Sequence, residues 1–284
     1  MKVFPACLIL ASVSAPSFEQ ELRLNAAPAP VRKKPRREWN ILRFWIILLG
    51  MSVIHLMGPW QSLKSAFMLG LLLSLVWVEG MQAQGKHPRS GRRIAQVMGA
   101  AGADWLERSE RESEENPTRA IELLRFQKGM VVADVGAGSG YYSSRIAEKV
   151  GPTGKVYAND IQPEMIQILK RQMRLRQVTN VEPVLGTEQD PKLPAACCDL
   201  ILMVDVYHEF SHPVEMLRKL RESLKDDGRL VLLEYRKEDP YVPIRPEHKM
   251  SLKEAKLEVE GEGFRLEKVM EDLPWQHILI FKKK

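Results

Sequence analysis

The chain has 284 residues, of which 45% are hydrophobic and 27% are charged, and its three cysteines form neither a disulfide framework nor a C-x-x-C pair. The formal net charge of +6 is unevenly distributed, since residues 1–99 contain 13 Lys and Arg against 4 Asp and Glu, whereas residues 100–284 contain 29 against 32. A slightly acidic globular part is a poor electrostatic surface for DNA or RNA, so we expect no nucleic-acid partner.

Residues 1–40 are predicted to be a disordered or targeting segment. Residues 1–15, "MKVFPACLILASVSA", have one lysine, a short apolar run and a small-residue end, which is a weak signal-peptide pattern. Residues 26–37, "AAPAPVRKKPRR", form a Pro-rich basic linker, and this composition does not favour a packed core.

Residues 41–83 contain two apolar stretches that are predicted to be membrane segments or a signal-like region. The stretch 41–60 is just long enough to span a bilayer, whereas 66–78 is short for a span and also resembles the hydrophobic region of a signal peptide. Neither stretch shows the polar stripe that a helix on the surface of a globular domain normally carries, which disfavours two buried core helices.

The charges around the apolar stretches predict an orientation. Basic clusters flank them at 32–37 and 86–93, and Lys64 is the only charge between them. The positive-inside bias then favours a hairpin with both ends in the cytoplasm. We therefore expect a membrane-attached protein with its globular part in the cytoplasm; the alternative is export through a signal peptide.

Residues 84–116 are predicted to be a linker and an N-terminal lid segment that precede the fold proper. Trp105 lies in this segment between small and charged residues. Two interpretations stay open for it: a lid over a substrate, or a docked helix.

From residue 117 onward, strands and helices alternate. Apolar spacing and Pro, Gly and Asp breaks predict helices over 117–126, 141–150, 163–177, 213–224 and 251–260, and strands over 130–135, 156–159, 181–185, 200–204, 229–234, 264–270 and 276–281. Such alternation predicts a parallel sheet with helices on both faces, and the last two strands are close enough for a hairpin. Ligands of such sheets bind beyond the carboxyl ends of the strands.

A glycine-rich loop follows the first predicted strand. Asp134 is followed by Gly136, Gly138 and Gly140 as D-x-G-x-G-x-G, and glycine allows close approach of the backbone to a ligand. A dinucleotide fingerprint, G-x-G-x-x-G, has its third glycine one position later, where this chain has Tyr141. The spacing therefore disfavours an NAD-dependent dehydrogenase.

An acidic residue ends the second predicted strand. Asp160 lies 20 residues after Gly140, where a carboxylate can accept hydrogen bonds from both hydroxyls of a ribose. The glycine loop, this acid and the alternating pattern together indicate a site for a ligand that contains adenosine.

Residues from about 97 to 284 resemble the class I S-adenosylmethionine-dependent methyltransferases of the group called type 11. The motifs that carry the resemblance are "DVGAGSG", "VYANDIQPEM", "VLGTEQDPKLP", "DLILMVDVYHEF" and "LKDDGRLVLLEY". The resemblance implies an α/β fold over 117–284, with a Rossmann-like, seven-stranded, mostly parallel sheet, helices on both faces and an antiparallel last strand. It also implies S-adenosyl-L-methionine as the cofactor.

The same resemblance implies roles for the cofactor-binding residues. Asp134 and the 136–140 loop approach the methionine part of the cofactor, Asp160 holds the ribose and Ile161 packs on the adenine. The family often has G-D-A before L-P in the third motif, with the acid near the adenine amino group. Here the acid is displaced by one position, which makes Glu188 the candidate adenine contact.

The fourth strand is followed by "DVYHEF", where substrate and methyl group are expected to meet. His208 is the candidate base because the ordinary pKa of histidine is near neutrality, and the alternative is a local packing role. Asp205 is the candidate for orienting the cofactor's amino group or the substrate. Methyltransferases that act on nucleobases usually carry an N-P-P-Y type tetrapeptide here, and this chain does not.

The sequence therefore predicts a methyltransferase that acts on an unidentified small or lipophilic acceptor. A protein methyltransferase and a non-catalytic S-adenosylmethionine-binding module are the alternatives. No metal site is predicted, and the sequence does not indicate an oligomeric state. The loop 241–250, "YVPIRPEHKM", either recognises an acidic substrate group or is a solvated connection. Glu234 and Tyr235 are further candidates for the wall of the substrate site.

Overall fold

The computed structural model describes residues 85–284. The predicted targeting segment over 1–40 and the predicted membrane or signal-like region over 41–83 lie outside the described residues. Within 85–284, none of the helices combines the length and the apolar character that crossing a bilayer requires.

The described chain forms seven strands and seven α-helices. The strands are β1 Val131–Val135, β2 Lys155–Asp160, β3 Val181–Leu185, β4 Cys198–Val204, β5 Leu224–Tyr235, β6 Phe264–Met270 and β7 Gln276–Lys283. The α-helices are α1 Ala103–Leu106, α2 Arg111–Glu114, α3 Pro117–Leu124, α4 Tyr141–Val150, α5 Pro163–Leu175, α6 Pro213–Ser223 and α7 Leu252–Glu260. Short 3-10 helices cover Ala100–Gly102, Tyr207–Glu209 and Pro246–His248.

All seven strands form one sheet in the order β3-β2-β1-β4-β5-β7-β6. The first five strands pair in parallel, whereas β7 lies antiparallel between β5 and β6. This arrangement confirms the predicted Rossmann-like sheet and the terminal hairpin. The strand order reverses between β1 and β4, which is the point where ligands bind in such sheets.

The central strands are apolar on both faces because helices cover both faces. In β4, Leu200 and Leu202 pack into the core that contains α3 and α4, whereas Ile201 and Met203 pack into the core that contains α6 and α7. All four side chains are fully buried. The two-residue period of a strand thus distributes one continuous apolar run between two cores.

The main difference from the predicted boundaries concerns β5. The segment "KDDG", read as the turn that ends a helix, lies inside this strand, which begins at Leu224. Leu224 pairs with Cys198, and the next pair of the ladder joins Arg229 to Leu200, so the register shifts between them. A bulge absorbs the extra polar residues, and the pairing with β4 decides the strand's length.

The N-terminal segment of the described chain is attached to the fold by a buried arginine. The Arg92 guanidinium forms an ion pair with Glu258 of α7 at 3.1 Å and donates to the backbone oxygen of His208 at 2.9 Å. The backbone N–H of Ala95 donates to the same oxygen at 3.0 Å. Residues 85–95 are therefore fixed to the loop that follows β4.

Candidate functional site

A cavity of about 440 Å³ lies at the carboxyl ends of β1, β2, β4 and β5. Strand ends contribute Val135, Asp160, Val204 and Tyr235 to its wall. The N-terminal segment, here between residues 96 and 111, and the 243–248 loop form further parts of its wall. The residues that they contribute are Gln96, Val97, Met98, Trp105, Leu106, Arg111, Pro243, Ile244, Arg245 and His248. The predicted lid residue Trp105 therefore lies against the cavity, with its indole under the Arg108 guanidinium at 3.6 Å.

The glycine loop borders the cavity with its backbone. Gly136 and Gly138 have positive φ angles of 72° and 56°. A Cβ at Gly136 would overlap the Val206 side chain, and a Cβ at Gly138 would lie 2.6 Å from Leu106 Cδ1. Glycine at both positions therefore lets Val206 and Leu106 pack against the loop. The loop backbone at the cavity wall, which we call the glycine cradle, can be in close contact with a ligand.

Gly140 and Asp134 lie on the core side of the glycine loop and do not line the cavity. A Cβ at Gly140 would lie 2.7 Å from Met173 Cε, so this glycine permits close packing of α4 on α5. The Asp134 carboxylate accepts a hydrogen bond from Ser143 Oγ at 2.6 Å, and burial raises its pKa to about 6. Their contact with the cofactor stays a prediction.

The predicted ribose and adenine contacts all line the cavity. Asp160 Oδ2 accepts from the backbone N–H of Gly138 at 3.1 Å, and Oδ1 accepts from that of Gln162 at 2.9 Å. Burial raises the pKa of Asp160. Ile161 and Glu188 also line the cavity, and Glu188 Oε2 accepts from Ser211 Oγ at 2.9 Å. The remaining lone pairs of Asp160 suit a diol.

Asp205 lies at the end of β4 in a strained backbone conformation. Its φ of 50° is unusual for a residue other than glycine. Its Oδ2 accepts from Gln276 Nε2 at 2.6 Å, whereas Oδ1 is buried and has no hydrogen-bond partner among residues 85–284. Burial, together with the charges of Glu115 and Glu234, raises the pKa of Asp205 well above its usual range. Asp205 therefore lines the cavity and has one buried carboxyl oxygen without a partner among the described residues.

Arg111 contributes a buried cation to the cavity wall, a role that the sequence does not indicate. Its Nε donates to Glu115 Oε2 at 2.5 Å, and its guanidinium lies 4.5 Å from the centre of the Tyr141 ring. Arg111 belongs to a highly charged stretch, so its burial has no signal in the sequence. Tertiary contacts alone turn this residue toward the site.

His208 belongs to a buried chain of hydrogen bonds. Its Nδ1 lies 2.6 Å from Glu234 Oε2, and its Nε2 lies 3.1 Å from Nδ1 of His248. Nε2 of His248 lies 3.1 Å from an Arg245 guanidinium nitrogen, which can only donate. We assign the tautomers from this chain: His248 Nδ1–H donates to His208 Nε2, and His208 Nδ1–H donates to Glu234.

Glu209 joins the two histidines at the cavity wall. Its Oε1 lies 3.9 Å from His208 Nε2 and 3.7 Å from His248 Nδ1. Burial raises the pKa of Glu209 to about 7, and burial next to His208 lowers the pKa of His248 to about 4. These three side chains, which we call the His208 cluster, bring two imidazoles and one carboxyl group together. The sequence showed each residue, but not that the 243–248 loop returns to the end of β4.

The family model described as a methyltransferase domain matches residues 126–277, more than half of the chain. Among curated relatives, the protein-L-isoaspartate O-methyltransferase of Methanothrix thermoacetophila is 32% identical over 39% of this chain and 50% of its own length. The demethylmenaquinone methyltransferase of a Geobacillus species is 27% identical over 40% of this chain and 49% of its own length. The chain thus spans about half the length of these relatives.

Solved structures show the same fold. A SAM-dependent methyltransferase from Aquifex aeolicus is 28% identical, with a TM-score of 0.63 over 66% of this chain and 100% of its own. A putative type 11 methyltransferase from Sulfolobus solfataricus, at 23% identity, covers 60% of this chain and 94% of its own with a TM-score of 0.51, which shows the likeness of fold alone. The chain therefore belongs to the class I S-adenosylmethionine-dependent methyltransferases.

Proposed function

We propose that this protein transfers a methyl group from S-adenosylmethionine to a small, largely apolar acceptor. The observation that carries the proposal is one cavity whose wall contains the backbone of the glycine loop, Asp160 and the side chains of His208, Glu209 and His248. Its size lies in the range of small-molecule sites.

The residues of this cavity fit the cofactor of the family. S-adenosylmethionine supplies, when bound, a sulfonium-activated methyl group. Asp160 would hold the ribose hydroxyls, and Ile161 and Glu188 would contact the adenine. The amino-acid part would lie along the glycine cradle, where Arg111 offers a cation to its carboxylate and Asp205 an oxygen to its amino group.

The cavity wall also contains apolar side chains, which suit an apolar acceptor. Met98, Trp105, Phe210 and Ile244 contribute apolar side chains to its wall. The relatives whose names state an acceptor act on demethylmenaquinone and on protein isoaspartate. Because the N-terminal segment and the 243–248 loop cover the site, we favour a small molecule over a folded protein.

A labelled-methyl assay tests this proposal. The full chain is incubated with S-adenosylmethionine that carries a labelled methyl group and with a fractionated native extract. We expect label in small, organic-soluble molecules. Label in protein would instead support a protein methyltransferase, and cofactor binding without any labelled product would support a non-catalytic module.

Two aspartate variants give this assay a matched control. D160A removes the proposed ribose contact and is expected to abolish transfer, because alignment of the methyl group depends on the bound cofactor. D227A changes an exposed aspartate of β5 and is expected to leave transfer unchanged. Equal activity of the two variants would contradict the cofactor site proposed here.

We further propose that residues 41–83 attach the protein to a membrane, with the globular part in the cytoplasm. The apolar stretches and the basic clusters on both sides support this proposal. The test is membrane fractionation together with a reporter fused after Lys284. A reporter active only outside the cytoplasm would favour export, and a protein found wholly in the supernatant would contradict attachment.

A further inference from the structure

Three potential metal ligands from two loops meet at the cavity wall. His208 and Glu209 follow β4, and His248 ends the short helix Pro246–His248. Their nearest donor atoms are His208 Nε2, Glu209 Oε1 and His248 Nδ1, which all lie within 4.8 Å of one another. The side chains are 2%, 11% and 18% exposed, so bulk water barely competes for these atoms.

The three donor atoms form a triangle of a size that suits a transition metal. Its sides are 3.1 Å between the two nitrogens, and 3.9 Å and 3.7 Å from these nitrogens to the carboxylate oxygen. The point equidistant from the three atoms lies about 2.1 Å from each, which is the length of Zn–N and Zn–O bonds in proteins. This point lies in the plane of the three atoms, and a tetrahedral ion lies outside it. Binding therefore requires the Glu209 oxygen to move toward the two nitrogens, to a separation of about 3.4 Å.

The donor set and its support resemble those of catalytic metal sites in general. Two imidazoles and one carboxylate hold zinc in sites that keep a further position open. The other ring nitrogen of His208 is paired with Glu234 at 2.6 Å, and a metal-bound histidine usually donates its second N–H to such a carboxylate. Glu234 is itself fully buried and accepts from the backbone N–H of Tyr207 at 3.0 Å.

We propose that His208, Glu209 and His248 bind one divalent transition-metal ion, with Zn²⁺ as the best-fitting ion. Metal binding requires that Nδ1 of His248 lose its proton, so Nε2 becomes the protonated nitrogen. The Arg245 guanidinium, which now donates to that nitrogen, must then turn away. Its side chain is 74% exposed and is free to do so.

A metal ion at this position could coordinate the methyl acceptor. All three ligands line the cavity, so the open coordination position is available to a water molecule or to an oxygen donor of the acceptor. A bound metal lowers the pKa of a coordinated hydroxyl group or water. His208 Nε2 would then be a metal ligand and not the general base. This role, unlike the binding itself, depends on the proposed methyltransferase function.

Metal binding is measured directly on the full chain, purified with a tag that contains no histidine and treated with a chelator that is then removed. Calorimetric titration with ZnCl2 is expected to show one equivalent bound. H248A and E209Q are expected to weaken this binding by about 100-fold or more, and E234Q by about 10- to 100-fold through the loss of support for His208. Cobalt(II) bound in place of zinc is expected to show visible absorption without a thiolate band.

Two variants control for binding elsewhere. H212A removes an exposed histidine that contacts Glu188 of the cavity wall. C197S removes one of the two thiols of the consecutive residues Cys197 and Cys198. Both are expected to keep the equivalent of zinc. Absence of binding in the unmodified protein would overturn the proposal, as would a bound equivalent that persists in H248A and E209Q or that disappears in C197S.

A separate titration with S-adenosylhomocysteine on the same sample distinguishes this proposal from the proposed function. Binding of S-adenosylhomocysteine without zinc would overturn the metal site alone. Binding of zinc without S-adenosylhomocysteine would overturn the methyltransferase proposal and leave the metal site supported.

Discussion

At the scale of single residues, the site depends on positions where one atom determines the packing or the hydrogen bonding. Gly136 has no Cβ, and a Cβ there would occupy space that the Val206 side chain fills. Asp160 joins the end of β2 to the glycine loop through its hydrogen bond from Gly138. Asp205 keeps one buried oxygen without a partner among the described residues. Such unsatisfied or strained groups are costly, which makes them candidates for ligand contact.

G136A is expected to weaken binding of S-adenosylhomocysteine by about tenfold or more. The added methyl group collides with Val206, and a left-handed conformation costs a residue with a Cβ about 1–2 kcal/mol, so the loop backbone moves away from the position that the proposed cofactor contact requires. Calorimetric titration measures the change. G99A is the matched control, since Gly99 has a negative φ and open space around it. Equal affinities of the two variants would contradict the close approach of the loop to the cofactor.

D134N is expected to stabilise the protein at neutral pH by up to about 3 kcal/mol, since burial raises the pKa of Asp134 from 3.8 to about 6. The folded state holds this proton more tightly than the unfolded state, so the stability that protonation provides is lost as pH rises through about 6. The neutral amide avoids this loss.

Urea unfolding at a series of pH values from 4 to 8 measures the advantage of D134N, which is expected to be small below about pH 4 and to reach its full value above about pH 6. D227N, at an exposed position, is the control. An advantage of D134N that does not change with pH would show that packing with Ser143, and not the charge, determines the stability.

At the scale of elements, the cavity is assembled by segments that have little regular structure of their own. The N-terminal segment covers the glycine loop through Leu106, and the 243–248 loop brings His248 to the end of β4. The buried ion pair between Arg92 and Glu258 of α7 attaches the N-terminal segment to the fold. Loss of one partner is costly, because the other charge is then buried without compensation.

R92A is expected to lower the free energy of unfolding by about 3–5 kcal/mol, because it leaves the buried Glu258 carboxylate without its guanidinium partner. It also removes a donor from the backbone oxygen of His208. Urea unfolding measures the loss, and R93A, at the exposed neighbouring position, is the control. A loss similar to that of R93A would show that Arg92 does not fix the segment.

The elements themselves follow closely from the sequence. The predicted ranges 141–150, 181–185 and 264–270 match α4, β3 and β6 residue for residue. Breaks such as "GPTG" end a helix locally, so the signal lies in the chain itself. The extended β5 was not predictable because its first residues are polar and only the ladder with β4 keeps them in the strand.

At the scale of the whole molecule, folding and ligand binding are coupled. The cavity joins parts of the chain from Gln96 to His248, so a ligand in it contacts strands, the glycine loop and both covering segments together. Binding to the folded state alone therefore stabilises the complete domain.

S-adenosylhomocysteine at about 100 times its dissociation constant is expected to stabilise the protein by about 2.7 kcal/mol, seen as a rise in the thermal midpoint. At the same ligand concentration D160A is expected to show little or no rise, because it lacks the proposed ribose contact, whereas D227A is expected to respond as the unmodified protein does. A ligand-induced rise in D160A equal to that of the unmodified protein would remove Asp160 from the site.

The sequence by itself determined the parts of this protein that local patterns encode. Alternating strands and helices, the spacing of the glycine loop and an acid at the end of β2 suffice to predict the sheet and the part of the cavity wall formed by the glycine loop and Asp160. The reason is that each signal lies within a few residues, and parallel strands place their carboxyl ends at one edge.

Only the tertiary structure decided the rest of the site. His208 meets Glu234 and His248 across separations of 26 and 40 residues, and Arg111 turns inward from a charged segment. Asp134 and Gly140, although part of the motif, face the core behind the loop. Packing fixes these contacts because a distant partner, and not the local pattern, determines whether a polar side chain is buried, paired or exposed to the cavity.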